Sequence, residues 1–415
     1  EGPGSLLSYL KRKNWANALS VDESSATDDF MIFEVDVELT PEGLAQRFKV
    51  ITALFSYLNL IRKEGIPDFL FPQQQALADL GWRFQDKREP SSLVPTLASS
   101  LQEYDPEQVL SGPARLMHYN ESLVARSLEM LRPEPVDYSA STPLFTVVAK
   151  DFDTAAKERE RWYGTKYQIE PLASHVKEWN SPPALADLNL PGPNPFVPEH
   201  LSVINPKKRV LKPGERVDPP QLLDLPEGGQ WKVRHKLDDV FAQPKALFYV
   251  ELISPVAYES PRTVAALKLF EFSLDEMLNE YTYDAHVAGL GYSLDFTTRG
   301  VKLSFGGFGD KMPEFIADVA QAVATHSPSD PVEFERLRDV VRRDLSSYDQ
   351  EQPYQHAITN AALATESPRY TVEEVRDTLE SIKMNEVRPL VDRLIAEAEG
   401  ISLIQGNLRA SDVPR

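Results

Sequence analysis

A chain of 415 residues, 42% hydrophobic and 26% charged, is long for one hydrophobic core and too apolar to be disordered, so two folded domains are expected. Its 44 basic and 63 acidic residues leave a net charge of −19, which repels phosphate backbones and anionic headgroups and argues against nucleic acid and membrane surfaces as partners. The absence of cysteine excludes a disulfide framework, a thiolate metal site and a cysteine nucleophile, and fits a reducing compartment.

In chain order, Ser5 to Asn14 reads as a helix end. Leu6, Leu7 and Leu10 share one side, and Lys11, Arg12 and Lys13 complement the negative end of the helix dipole as a solvated terminus and not a binding patch. Leu19 to Asp29 is polar and rich in Ser and Asp, so a loop is expected there, followed by an alternating strand from Phe30 to Leu39. Thr40-Pro41-Glu42 supplies a capping hydroxyl, a first-turn proline and an acid, and Leu44, Phe48, Ile51, Phe55 and Leu58 then line one helix face until Gly65. A second helix is expected from about Asp68 to Asp86, with shorter ones through Leu131 and a closing strand from Leu144 to Val148. Trp162, Tyr163 and Tyr167 read as an aromatic anchor for a chain return.

Residues 181–230 hold 11 of the 33 prolines and sustain no periodicity, so they read as an extended, semi-rigid connector between domains at 1–180 and 231–415. Beyond them a strand is expected from Ala246 to Leu252. Leu267, Phe270, Leu274, Leu278 and Tyr281 then recur at three- and four-residue steps, as on a long amphipathic helix. After Gly289 and Gly291 the period becomes two, with Tyr292, Leu294 and Phe296 on one strand and Val301, Leu303 and Phe305 on the next. Helices follow at Met312 to Thr325, Pro331 to Glu366 with a break near Pro353, and Thr371 to Glu399, and Ile401 to Leu403 closes as a strand.

An internal repeat is visible. Asn17-Ala-Leu, a strand to Leu39 and a helix from Pro41 match Val287-Ala-Gly-Leu, a strand from Val301 and a helix from Pro313. Two copies of one α+β unit are therefore expected, with the counterpart of Ala246 through Tyr283 lying upstream of Glu1.

Candidate chemistry is sparse. The histidines are His118, His175, His200, His235, His286, His326 and His356, and the closest pair is 25 residues apart, so no H-x-x-E-H zinc motif is present. His286 reads as a partly buried structural residue and His356 as helix packing. Glu271, Asp275, Glu276 and Glu280 read as a solvated acidic face, and Asp339, Asp344, Arg342 and Arg343 as a mixed one with pairs one turn apart. Gly306-Gly307-Phe308-Gly309 leaves a strand in a pattern unlike a phosphate loop, so a turn or bulge is expected.

The wording of Leu278 to Phe305 resembles the insulin-degrading enzyme (insulysin) and pitrilysin family of zinc metallopeptidases. Also similar, in the family's order along nearly the whole chain, are Glu1-Gly-Pro-Gly-Ser-Leu-Leu, Phe84-Gln-Asp-Lys, Leu131-Arg-Pro-Glu, Trp162-Tyr-Gly-Thr-Lys-Tyr, Ser254-Pro-Val-Ala-Tyr, Glu351-Gln-Pro-Tyr-Gln-His-Ala and Gln405-Gly-Asn. The resemblance implies an α+β fold of two LuxS/mitochondrial-processing-peptidase-like metallohydrolase domains, each an antiparallel sheet covered by helices. These would be the family's middle and third domains, the first lacking its N-terminal part.

The resemblance further implies a fragment of an insulysin-type endopeptidase that degrades short peptides, a reading that also suits a first residue, Glu1, that is not Met. The zinc, its H-x-x-E-H motif and its glutamate ligand would belong to a first domain upstream, and further substrate contacts to a fourth domain downstream. This chain would then hold no catalytic and no metal residue and would not cut peptides alone. By the same resemblance Glu1, Gly2, Leu19, Ser20, Val21, Asp22 and Glu23 form an exosite for the amino-terminal end of a bound peptide. Val21 and Asp22 replace an expected glycine pair and would narrow the backbone's approach, while Asp22 and Glu23 would favour a free amino terminus. Expected partners are peptide substrates, the first and fourth domains, and a second copy in a homodimer. No apolar run reaches the roughly 18 to 20 residues of a membrane span, and the start is unlike a signal peptide. A cytoplasmic location is expected, with targeting left open by the missing ends. Two rival readings are a non-catalytic scaffold or peptide-binding subunit of the same fold, and an unrelated hydrolase using paired carboxylates, for which no pair stands out.

Overall fold

The structure, a computed structural model, describes residues 2–27, 29–134, 142–149, 158–207, 209–212, 214–224 and 231–412. The chain forms two compact units: residues up to Arg83 with Lys87–Pro193, and Phe84–Asp86 with Asn194–Arg415.

The first unit is built around a short helix, α1 (Leu6–Arg12), started by Ser5, whose Oγ accepts the Ser8 N–H at 3.2 Å. Leu6, Leu7, Tyr9 and Leu10 are buried in one cluster with Ala16, Val50, Ala53 and Leu188. Strands β1 (Ala16–Ala26) and β2 (Met31–Leu39) pair antiparallel from Ala16 opposite Leu39 to Ala26 opposite Met31, with two register shifts. Thr40 caps α2 (Pro41–Ala45) through a 2.9 Å bond from the Gly43 N–H. A Cβ on Gly43 would stand 1.8 Å from the Trp15 carbonyl oxygen, so the turn packs directly on backbone. The helix expected to run unbroken from Pro41 is interrupted at Gln46 and resumes as α3 (Arg47–Glu64), which Gly65 ends at φ +78°.

Helices α4 (Leu70–Arg83), α5 (Pro90–Glu103) and α6 (Glu121–Met130), the two-residue strands β3 (Glu158–Arg159) and β4 (Lys166–Tyr167), and α7 (Ala173–Asn180) complete the unit. From α7 the buried Trp179 donates its indole N–H to Thr52 Oγ1 at 3.2 Å.

Three expectations are corrected here. Most of the loop foreseen from Leu19 is strand β1; pairing with β2 satisfies its backbone, so its polar side chains are free to face water. Leu144 to Val148 forms no strand, and Leu144 and Val148 lie exposed. Trp162 and Tyr163 are not packed as an anchor among the described residues: they are 80% and 92% exposed on a turn wound around the Glu160 carboxylate, which accepts the N–H groups of Trp162 and Thr165 at 2.8 and 3.1 Å.

In the second unit a six-stranded sheet runs in the order β5 (Gln221–Leu222), β6 (Trp231–Leu237), β10 (Glu399–Gly406), β7 (Lys245–Ile253), β9 (Gly300–Phe308), β8 (Gly291–Thr297). All neighbours are antiparallel except β6 and β10. The central helix α8 (Pro261–Val287) starts at Ser260 and Pro261 and buries Leu267, Leu269, Phe270, Leu274 and Leu278. It touches β8 and four other helices: α9 (Met312–Thr325), α10 (Pro331–Ser347), α12 (Val372–Thr378) and α13 (Met384–Ala396). Helix α11 (Pro353–Thr365) is more peripheral and buries no residue fully.

Gly307, at φ +139°, sits where a Cβ would be 2.1 Å from the Gly289 carbonyl oxygen, so the glycine run serves close backbone packing. The orders α1–β1–β2–α2/α3 and α8–β8–β9–α9 repeat one unit, as the sequence suggested. In the first copy, however, β1 and β2 pair only with each other among the described residues, whereas β9 is flanked by β7 and β8.

Candidate functional site

Of the seven exosite positions, five form one continuous run of β1, Leu19 to Glu23, opposite Val37, Asp36, Val35, Glu34 and Phe33 in that order. Leu19 is half-buried against the α1 core and fixes the strand, while Ser20, Val21, Asp22 and Glu23 are exposed. Because these residues are in a strand, the Val21 and Asp22 side chains leave the plane of the ribbon, and the edge that offers N–H and C=O groups is not covered by them. The expected narrowing of the backbone's approach assumed a turn. Gly2 lies in the turn into α1, its carbonyl accepting the Ser5 N–H at 3.0 Å, and no hydrogen bond links it to Leu19–Glu23. Glu1 lies outside the described residues.

The ribbon carries one sign of charge. From Asn14 through Gln46 there is no Lys or Arg, while Asp22, Glu23, Glu34, Asp36 and Glu38 stand on the paired strands. Glu34 faces Asp22 across the ladder, a like-charge pair that weakens the isolated ribbon. Glu34 and Asp36 were missed as candidates although this long stretch without a base is readable in the sequence. The outer half also exposes Val21, Met31, Ile32 and Phe33. The ribbon is thus acidic, with exposed apolar side chains, and among the described residues its two strands pair only with each other.

Among the described residues no group of three or more His, Asp or Glu is arranged to hold a metal ion, and several histidines are otherwise engaged. His175 stacks on Phe48 with ring centroids 4.1 Å apart, His235 Nε2 is 2.7 Å from the Leu408 carbonyl, and His326 Nε2 is 2.8 Å from Ser273 Oγ. His356 packs edge-on against Tyr348. His286 is exposed, contrary to the partly buried place expected for it, because it sits on the solvent side of the last turn of α8. Arg342 and Arg343 pair with Asp339, as expected of a mixed helix face. Among the described residues no helix is long and apolar enough to cross a membrane.

The two α–β–β–α units, one carrying an antiparallel-rich sheet under helices and the other an acidic ribbon, form an α+β arrangement. The chain belongs to the peptidase M16 family: the family description "Middle or third domain of peptidase_M16" matches residues 82–378. It is 31% identical over 409 residues to the insulin-degrading enzyme of Homo sapiens, covering 98% of this chain and 39% of that protein. It is 28% identical over 413 residues to the peroxisomal insulin-degrading enzyme-like 1 of Arabidopsis thaliana, covering 99% of this chain and 41% of that protein. Its fold resembles the crystal structure of pitrilysin with a TM-score of 0.68 at 22% identity, covering 99% of this chain and 42% of that one. The chain therefore spans about two fifths of the length of these relatives.

Proposed function

We propose that this chain is the central part of an insulysin-type zinc endopeptidase that degrades short peptides, and that it holds the peptide while other domains cut it. Residues 1–180 and 231–415 act as the second and third family domains, joined by the proline-rich connector 181–230. Zinc belongs to a first domain and none to this chain. A fourth domain, peptide substrates and a second copy complete the partners, in a cytoplasmic setting.

The observation that supports this reading best is the β1–β2 ribbon, whose exposed Ser20–Glu23 segment is acidic and, among the described residues, pairs with β2 alone. A peptide's terminal ammonium would meet Asp22, Glu23 and Glu34, with main-chain bonds fixing its register. Glutamine and asparagine are better probes than glycine, which would weaken the strand itself.

In Asp22→Asn/Glu23→Gln, affinity for a peptide with a free amino terminus should fall by about tenfold, the effect of losing charge-assisted contacts worth roughly 1.4 kcal/mol. The same peptide acetylated at its N-terminus should bind both proteins alike. Fluorescence anisotropy reads both, and equal loss for the two peptides, or no loss at all, overturns the assignment.

A further inference from the structure

The second unit repeats the ribbon in a complete sheet, so the chemistry of its outermost strand is readable in full. Thr297 and Gly300 close the β8–β9 hairpin around two residues, Thr298 and Arg299. A closing pair of that kind exchanges main-chain hydrogen bonds, and bonded and non-bonded pairs then alternate along the ladder. Asp295, Ser293 and Gly291 are therefore bonded inwards to Lys302, Ser304 and Gly306, while Phe296, Leu294 and Tyr292 turn their N–H and C=O groups outwards. None of these outward groups is hydrogen-bonded to a described residue. The result is three donors and three acceptors at two-residue spacing, the pattern an added strand needs.

Proteins commonly guard such an edge with lysine, proline, a bulge or a very short strand. β8 has seven residues with no Lys and no Pro, and its ladder with β9 is regular throughout. What guards it is negative charge. Asp295 is exposed on the face turned away from α8, where Lys302 of β9 stands opposite it, so the unbalanced charge lies on the helix side. On the helix-covered face, beside Tyr292 and Phe296, Glu271 and Asp275 of α8 lie one turn apart, and Asp275 accepts the Tyr292 hydroxyl at 2.7 Å. The nearby cation Lys268 is bonded to Asp344 of α10 at 3.2 Å. Neither Glu271 nor Asp275 forms an ion pair with a described residue. Such a guard repels a second β8, which would bring the same carboxylates together, and admits a strand carrying positive charge.

We propose that the outer edge of β8 is a strand-addition site for an extended basic peptide segment, with lysine or arginine at alternate positions, one of them reaching Glu271 and Asp275. Main-chain bonds to Tyr292, Leu294 and Phe296 hold the segment, and the carboxylates select its charge. The site is separate from the ribbon of the first unit and stands whether or not that ribbon binds peptide.

Occupancy also depends on pH. Burial pushes the Glu271 carboxyl up to about 7, against the pull of Lys268 and with the push of Asp275, Asp295 and Asp344. Binding of a cation should therefore strengthen as pH rises through about 7, when Glu271 takes its charge.

The test uses the intact chain and a fluorescein-labelled nonapeptide alternating valine with lysine. Comparators are the same peptide with glutamate for lysine, and the lysine peptide methylated at every backbone nitrogen, which keeps the charge and removes the donors. The lysine peptide should bind at least about tenfold tighter than either comparator and should slow hydrogen exchange at the Tyr292, Leu294 and Phe296 amides. Glu271→Gln/Asp275→Asn should weaken it by about tenfold and remove the dependence on pH near 7, while Asp22→Asn/Glu23→Gln should leave protection at β8 unchanged. Equal binding of the methylated peptide, protection that appears elsewhere, an unaffected Glu271→Gln/Asp275→Asn variant, or a β8-mediated dimer in place of peptide binding would each overturn the proposal.

Discussion

Two half-buried groups of the second unit make opposite demands on pH. His326 is held between Phe270 and Ser273, and burial first, then the nearby Arg388 guanidinium, lowers its proton affinity below the ordinary 6.5. The folded protein keeps it neutral, so its contribution to stability is complete above the unfolded value and is lost as pH falls below it. Glu271 is raised instead, so the unfolded state loses its proton first, and stability declines as pH climbs from the usual carboxylate range towards about 7. Urea midpoints between pH 4 and 8 separate the two. His326→Gln, able to keep a bond to Ser273, should flatten the acid limb, and Glu271→Gln should raise the midpoint at pH 8 while leaving pH 4 unchanged. Neither behaviour was legible in the sequence. His326 carries no motif, and Glu271 belongs to an acidic helix face in which sequence alone does not separate it from Glu276, which pairs with Arg336 at 3.0 Å. Only the position of β8 against α8 singles Glu271 out.

Elements with a strong local signal were found from sequence, and those defined by a distant partner were not. Helix α9 has the expected ends at Met312 and Thr325, because its apolar period and its proline at the first turn are local properties. The break near Pro353 separates α10 from α11 for the same reason. Strand β6 was missed because its place depends on a parallel partner, β10, more than 160 residues later in the chain. Strand β1 was missed because Asp22, Glu23 and Ser24 put polar side chains on both faces of its outer part.

Glycines divide similarly. The sequence places Gly81 in a helix and Gly300 between two strands but not how closely each is packed: a Cβ on Gly300 would stand 1.8 Å from the Leu252 carbonyl oxygen at φ +156°, whereas at Gly81 it would meet nothing within 4 Å. Gly300→Ala should therefore disrupt the β7–β9 ladder and cost about 3 kcal/mol through overpacking and backbone strain. Gly81→Ala, inside α4, should stabilise by about 0.5–1 kcal/mol. Denaturant melts of the two variants give the comparison directly, and similar midpoints would contradict this assignment of roles.

At the scale of the molecule the net charge of −19 bears on stability and on the ligands proposed above. The acids are not evenly neutralised: the ribbon of the first unit has no base in its stretch from Asn14 through Gln46, and the β8 edge has Glu271 and Asp275 without ion pairs. Self-repulsion of this kind opposes compactness. Raising sodium chloride from 0.05 to 0.5 M shortens the screening length from roughly 14 Å to about 4 Å. Repulsion within the folded protein should then weaken, and the melting temperature should rise. The same screening removes the long-range attraction for a cationic peptide, so its association rate and affinity should fall steeply over the same range. Opposite responses to one variable are the signature of charge left uncompensated for a partner. A protein whose acids were already paired internally would lose stability with salt or show no change, and its affinity for basic and acidic peptides would not diverge. Differential scanning fluorimetry and anisotropy titrations on one salt series decide between the two, with Glu271→Gln/Asp275→Asn expected to reduce both slopes.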